Sequence, residues 1–152
     1  MQRYVNVLVA EENEDDFLFI VDALHSIYPG FNVTRAKDGL ECLRLLKEIE
    51  KPHLLFIDLE LPSINALECL KYIKNHSKLF DLPVVITSPS CYIKHIDVAF
   101  REGALYYLVK PPRFSAIKAI LEVFFEKLLL TEEVSKQNFV LKESNILKEQ
   151  YV

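Results

Sequence analysis

The chain of 152 residues has no tryptophan, one methionine, three glycines and three cysteines, and it carries no excess of positive charge. Each shortage excludes something. With so little glycine, and no Gly- or Ser/Thr-rich loop after the first apolar run, a flavin phosphate has no cradle there. Cys42, Cys69 and Cys91 are odd in number, widely spaced and without metal-ligand spacing, so they read as small buried hydrophobes in a reducing compartment. A formal net charge of -4 provides no broad basic field to hold nucleic acid through its phosphates, although a small basic patch would not show in that number. No apolar run approaches the roughly 20 residues of a membrane helix. The amino-terminal MQRYVNVLVAEEN has too short an apolar run for a signal peptide, and acids follow it at once. The expectation is a cytoplasmic protein with no membrane partner.

What is there is a composition of 51% hydrophobic and 26% charged residues, normal for one compact domain with a real core. Short apolar runs alternate with amphipathic segments. YVNVLVA (4–10) predicts a first strand. Residues 14–28 carry Phe17, Ile20, Val21, Leu24 and Ile27 at helical spacing, stopped by Pro29-Gly30. FNVTRA (31–36) is a weaker strand. Asp38 caps a helix with Leu40, Leu43, Leu46 and Ile49 along one side. HLLFID is a third strand, buried on both faces, and residues 65–75 a short helix with Leu67, Leu70 and Ile73 inward. PVVITS (83–88), a helix ending at Gly103, ALYYLVK (104–110) and a long helix over 114–130 complete the alternation. Five strand–helix units predict an α/β fold: a doubly wound, five-stranded parallel sheet with helices on both faces. Residues 131–152 break the pattern. NFVLK suits a strand and SNILKEQY a short helix, so a packed extension, a partner-binding tail and a mobile end all stay open.

The carboxyl ends of parallel strands share one rim, where such sheets do their chemistry. The first strand delivers Glu11 and Glu12, the third Asp58 followed by Glu60, the fourth Ser88, and the fifth Lys110 followed by Pro111. Crowded carboxylates repel one another and call for a counter-cation; an all-oxygen ligand set suits Mg²⁺. Beside such a cation Asp58 is placed to attack a phosphoryl group, with Ser88 and Lys110 available to bond its oxygens. Each residue has a plainer reading too. Asp58 alone is a polar strand end, and Lys110 a solvated one. Glu14, Asp15 and Asp16 are favourable charge in a first helical turn. His25, His53, His76 and His95 show no ligand spacing and read as surface residues.

Four stretches carry a family resemblance. VLVAEENEDD resembles the acidic pair after the first strand of the receiver domain of two-component response regulators. LLFIDLELPSINAL resembles that family's acceptor-aspartate segment, PVVITS its switch-hydroxyl strand, and GALYYLVKPP its Lys-Pro signature. The resemblance covers about residues 4–130, leaving 131–152 as an extension. It implies the flavodoxin-like receiver topology and a phosphorylation-controlled binding module, not an enzyme in the usual sense, that works in a phosphorelay. Asp58 would accept a phosphoryl group from a histidine kinase or a histidine phosphotransfer protein. Glu11 and Glu12 would be the metal acids, with Glu12 the closer ligand, and Asp58 and the backbone carbonyl of Glu60 would complete the Mg²⁺ site. Ser88 would be the switch hydroxyl, Lys110 the invariant-type lysine, and Tyr107 the aromatic residue whose ring swings inward. The readout would fall on the fourth helix, fifth strand and fifth helix, a face that also offers a route to a homodimer.

The chain departs from the family pattern at several positions. Thr87 competes with Ser88 as the switch hydroxyl. Spacing favours Ser88, 30 residues after Asp58 and 22 before Lys110. Pro89 has no N–H where a donor to the phosphoryl group is expected, a loss of about 1.5–3 kcal/mol. Glu12 stands where aspartate is commoner and Ala66 where glycine is usual; alanine is harmless there if φ stays negative. Two other functions compete with a stand-alone response regulator. One is a pseudo-receiver that keeps the fold as an interaction module without being phosphorylated. The other is an aspartate-nucleophile phosphatase with Glu60 as its second acid, for which no cap domain is available.

Overall fold

A computed structural model describes residues 3–130 and 133–145. Its strands are β1 (Val5–Ala10), β2 (Phe31–Ala36), β3 (Leu54–Asp58), β4 (Val84–Ser88), β5 (Tyr106–Val109) and β6 (Val140–Leu141). The helices between them are α1 (Glu14–Ile27), α2 (Gly39–Glu48), α3 (Ala66–Lys74), α4 (Ile93–Arg101) and α5 (Phe114–Leu129). All strand pairs are parallel, in the order β2-β1-β3-β4-β5-β6. The alternating fold read from the sequence therefore stands, with one strand added.

That addition corrects the five-stranded count. Tyr107 and Leu108 of β5 pair with Val140 and Leu141. Phe139 and Leu141 are buried there. These two residues fall within NFVLK, the stretch that suits a strand, and the pairing with β5 is what settles it as one. The helix expected over 144–151 lies almost wholly outside the described residues.

Strand side chains alternate between the two faces of the sheet. Leu8, Leu55, Ile57, Val84, Ile86 and Tyr107 pack toward α2, α3 and α4. Val7, Val9, Phe56, Val85, Tyr106 and Leu108 pack toward α1 and α5. Leu40, expected on the inner side of α2, is 60% exposed; Cys42 and Leu46 are the buried residues of that helix. Three helix starts are set by side-chain caps. Asn13, Asp38 and Asn65 accept the amides of Asp16, Glu41 and Glu68.

The loop after β3 is braced from α2. The amide of Gly39 donates to the Pro62 carbonyl at 3.1 Å and that of Leu40 to Ser63 Oγ at 3.2 Å. A Cβ on Gly39 would stand 1.7 Å from the Ile64 carbonyl oxygen, so only glycine permits this approach. Among the described non-glycine residues only Ser63 has positive φ, at 66°. Ala66 begins α3 with ordinary helical backbone, and its replacement of glycine is harmless.

Candidate functional site

The rim gathers residues of the same strand parity from three strands. Glu11 follows β1, Asp58 ends the central strand β3, and Lys110 follows β5. Glu11 and Asp58 are buried, at 3% and 8% exposure. Their carboxylates converge on the Lys110 ammonium, which donates to Glu11 Oε1 and Asp58 Oδ2. Asp16 Oδ2, one turn into α1, lies 3.4 Å from the same ammonium. The free oxygens are held by backbone: Asp58 Oδ1 accepts from the Glu60 amide at 2.7 Å, and Glu11 Oε2 from the Asn13 amide at 3.2 Å. The strand ends are tied through β4, where the Leu59 amide donates to the Thr87 carbonyl and the Lys110 amide to the Ser88 carbonyl, both at 2.8 Å.

Burial sets the charges against one another. It pushes the Glu11 carboxyl above its ordinary range, more than the Lys110 ammonium can pull it back, and the Asp58 charge adds to the rise. Burial also works against the Lys110 charge, but the hydrogen bonds and charges of Asp58 and Glu11 overcome it and hold the ammonium above its usual value. Removing either sign leaves a buried charge uncompensated.

Glu12 does not join this cluster. Its side chain is exposed, and its contribution is its backbone. Arg35, near the end of β2, donates from Nε to the Glu11 carbonyl at 3.1 Å and from Nη2 to the Glu12 carbonyl at 2.8 Å. The guanidinium carbon stands 5.2 Å from the centre of the Phe17 ring on α1. Neither Arg35 nor Asp16 was singled out from the sequence. Asp16 was absorbed into the acidic first turn of α1. Arg35 gives no signal alone; it becomes legible only once β2 is known to pair with β1, where Val9 faces Arg35.

Ser88 and Thr87 point to opposite faces, as their alternation predicts. Thr87 lies on the α1–α5 side, where it lines a small cavity of about 100 Å³ with Phe56, Leu108, Ile117 and Lys110. Ser88 lies on the Tyr107 side, and its Oγ accepts the Ser90 amide at 3.1 Å. Tyr107 is fully buried, and its hydroxyl donates to the Ser90 carbonyl at 2.8 Å. Burial raises the Tyr107 phenol above its ordinary value. Pro89, between them, is exposed. Its missing N–H leaves Ser90 as the first amide donor after Ser88.

Among the described residues no three His, Cys, Asp or Glu side chains stand close enough together to hold a metal ion. The Glu11–Asp58 pair nevertheless fits a hard cation: two buried carboxylates already converge on one positive charge, and a backbone carbonyl and waters are the usual complement for Mg²⁺. Of the four expected ligands, the structure brings together Glu11 and Asp58, sets the Glu60 backbone beside Asp58, and leaves the Glu12 carboxylate outside.

Comparison with known proteins gives the class to which this open parallel sheet, with a buried aspartate, a lysine and a hydroxyl on one rim, belongs. Residues 7–122 match the family described as the response regulator receiver domain. The chain is 31% identical over 121 residues to the polar-differentiation response regulator DivK of Brucella anthropi, covering 76% of this chain and 95% of that one. DivK of Brucella ovis matches to the same extent. Among solved structures, the phosphorylated cyanobacterial phytochrome response regulator RcpA superposes with a TM-score of 0.78 at 26% identity, over 86% of this chain and 97% of that one. The Mn²⁺-bound form of response regulator Rcp1 superposes with a TM-score of 0.75 at 20% identity, over 86% and 99%. The chain belongs to the response regulator receiver domain family. It is thus a signalling domain, and its family works with kinases or phosphotransfer proteins. No described helix is long and apolar enough to cross a membrane.

Proposed function

We propose that this protein is a phosphorelay response regulator in which Asp58 accepts a phosphoryl group from a histidine kinase or a histidine phosphotransfer protein. One observation carries the reading: a buried carboxylate ends the central strand with one oxygen on the Lys110 ammonium and the other on a backbone amide. Both bonds fix the carboxylate's direction, which is the positioning an in-line attack requires. An Asp58 oxygen attacks phosphorus, the bond from phosphorus to the donor's nitrogen or oxygen breaks, and an acyl phosphate forms on Asp58. Lys110 then serves a phosphoryl oxygen in place of a carboxylate oxygen, and Ser88 turns its hydroxyl to another. Glu11, Asp58 and the Glu60 carbonyl would hold Mg²⁺, which supplies neutralising charge to the phosphoryl oxygens when bound. Thr87 pairs with Asp58 in the sheet register and lies beside Lys110 on the α1–α5 side; the switch role is assigned to Ser88 on its spacing from Asp58 and Lys110.

A second reading, an interaction module that is not phosphorylated, is favoured by the exposed Glu12 carboxylate and by Pro89. Intact mass after incubation with Mg²⁺ and acetyl phosphate separates the two. One added phosphoryl group in the parent chain, absent from Asp58→Asn, is the expected outcome. No addition to a folded parent chain that binds no Mg²⁺ sinks the phosphoacceptor reading and leaves the interaction module.

A further inference from the structure

The face formed by α4 and the β5 edge, expected to be the readout surface, is covered. Residues 138–143 lie across it. The Tyr107 amide donates to the Phe139 carbonyl at 3.0 Å, and β6 continues the pairing. Phe139 is fully buried and meets the Phe100 ring of α4 edge-on, with ring centres 5.2 Å apart. Flanking charges hold each side. Lys136 Nζ stands 3.0 Å from Asp97 of α4, and Arg113, before α5, pairs with Glu143. The residue that accepts this segment, Tyr107, is also the one whose hydroxyl is held by the loop after Ser88.

We propose that the α4–β5 face is a docking surface for an extended strand with an aromatic anchor, that residues 138–143 of this chain are its resident occupant, and that phosphorylation of Asp58 releases them. The inference rests on the phosphoacceptor reading. A sheet edge beside a hydrophobic slot recognises a strand through main-chain hydrogen bonds and one side chain. Here the anchor is Phe139 and the slot wall is Phe100. The attachment is small: two residues of strand, two buried side chains and surface ion pairs that add little. Such segments sit at the low-stability end of a fold, where local detachment is easy.

Coupling to the site follows from shared atoms. The Ser88 hydroxyl now accepts the Ser90 amide, and the Ser90 carbonyl holds Tyr107. A Ser88 hydroxyl turned toward a phosphoryl group gives up that amide and leaves residues 89–92 free to shift. Those residues lead into α4, which carries both Asp97 and Phe100. The segment is then gripped by a helix that has shifted and a strand that has not. Linkage is reciprocal, so a chain whose segment is already loosened must take up the phosphoryl state more readily.

The test uses the full chain, with beryllofluoride and Mg²⁺ standing in for the phosphoryl group. Hydrogen exchange followed by mass spectrometry should show protection of residues 133–145 falling about 5-fold or more on saturation, and Phe139→Ala should bind beryllofluoride about 5-fold more tightly. Unchanged or increased protection on saturation overturns the proposal, and so does unaltered affinity in Phe139→Ala. The exchange arm uses the unaltered chain and does not depend on how the variant folds. If beryllofluoride binds neither chain, the phosphoacceptor reading itself falls and takes this inference with it; binding without loss of protection sinks the docking proposal alone.

Discussion

Lys110 is the residue on which the rim depends. It neutralises two buried carboxylates, and its loss strands both. Lys110→Ala should cost about 3–5 kcal/mol of stability, read as a fall in the urea midpoint. Lys110→Met, which keeps the stem, should not recover it. The cysteines make a second test at this scale. Burial pushes the Cys42 thiol up to about 12 and the Cys69 thiol to about 11. The native chain therefore holds these protons more tightly than the unfolded chain. That contribution is fully present below about pH 9 and is lost as pH rises toward the folded values. In the native protein at pH 9, iodoacetamide should label Cys91, which is exposed, and spare Cys42 and Cys69. Labelling of all three at equal rates would contradict the burial. At this scale much of the site was legible. Glu11, Asp58 and Lys110 each end or follow an apolar run, and strand parity places them together; parity sets Thr87 with them, so Ser88 rests on its spacing along the chain. The Glu12 side chain stands outside the cluster because adjacent residues on a strand end face opposite ways, a constraint the acidic pair conceals when read as a motif.

At the scale of elements, the helices were the most legible, since caps and apolar spacing are local properties. The exception, Leu40, sits in the first turn of α2, where the helix leans on the loop after β3 and has no sheet beneath it. That contact yields a sharp expectation. Gly39→Ala drives a Cβ into the Ile64 carbonyl and should destabilise the fold by about 1–3 kcal/mol or more, seen as a lower Tm. Arg35 is the matching case on the other side of the rim. It pins the two carbonyls that precede α1, so Arg35→Ala should weaken Mg²⁺ binding several-fold while changing Tm by only a few degrees. Calorimetric titration with Mg²⁺ checks this, and unaltered affinity would show that the acidic loop holds its shape unaided. Arg35 was invisible in sequence because its partners are backbone carbonyls from another strand, which leave no trace in residue type.

The whole molecule was legible in its winding and only half legible at one edge. Five alternations of strand and helix predict a parallel sheet without reference to any long-range contact. The sixth strand lies in NFVLK, which suits a strand in sequence, but its partner and its place in the sheet depend on such a contact. Pro89 belongs to this scale too, because it bears on how site and docking face communicate. If the proline withholds a donor from the phosphoryl group, Pro89→Ala should raise the rate of acetyl-phosphate labelling, with an effect of about ten-fold or more, in keeping with one hydrogen bond to a charged group. A rate equal to the parent's would mean that another donor already serves, and the Ser90 amide is the neighbour positioned to do so.

The pairing of β6 with β5 also fixes an order of events during synthesis. Everything that forms the site is encoded before the end of α5, yet the strand that closes the sheet is made about a dozen residues later. At ribosomal speeds of about 5–20 residues per second, the nascent domain spends roughly a second with the β5 edge bare. An uncovered edge is a template for another chain's strand. Crowded polysomes are therefore one setting in which a bare β5 edge meets its own siblings, and residues 139–141 are what ends that interval.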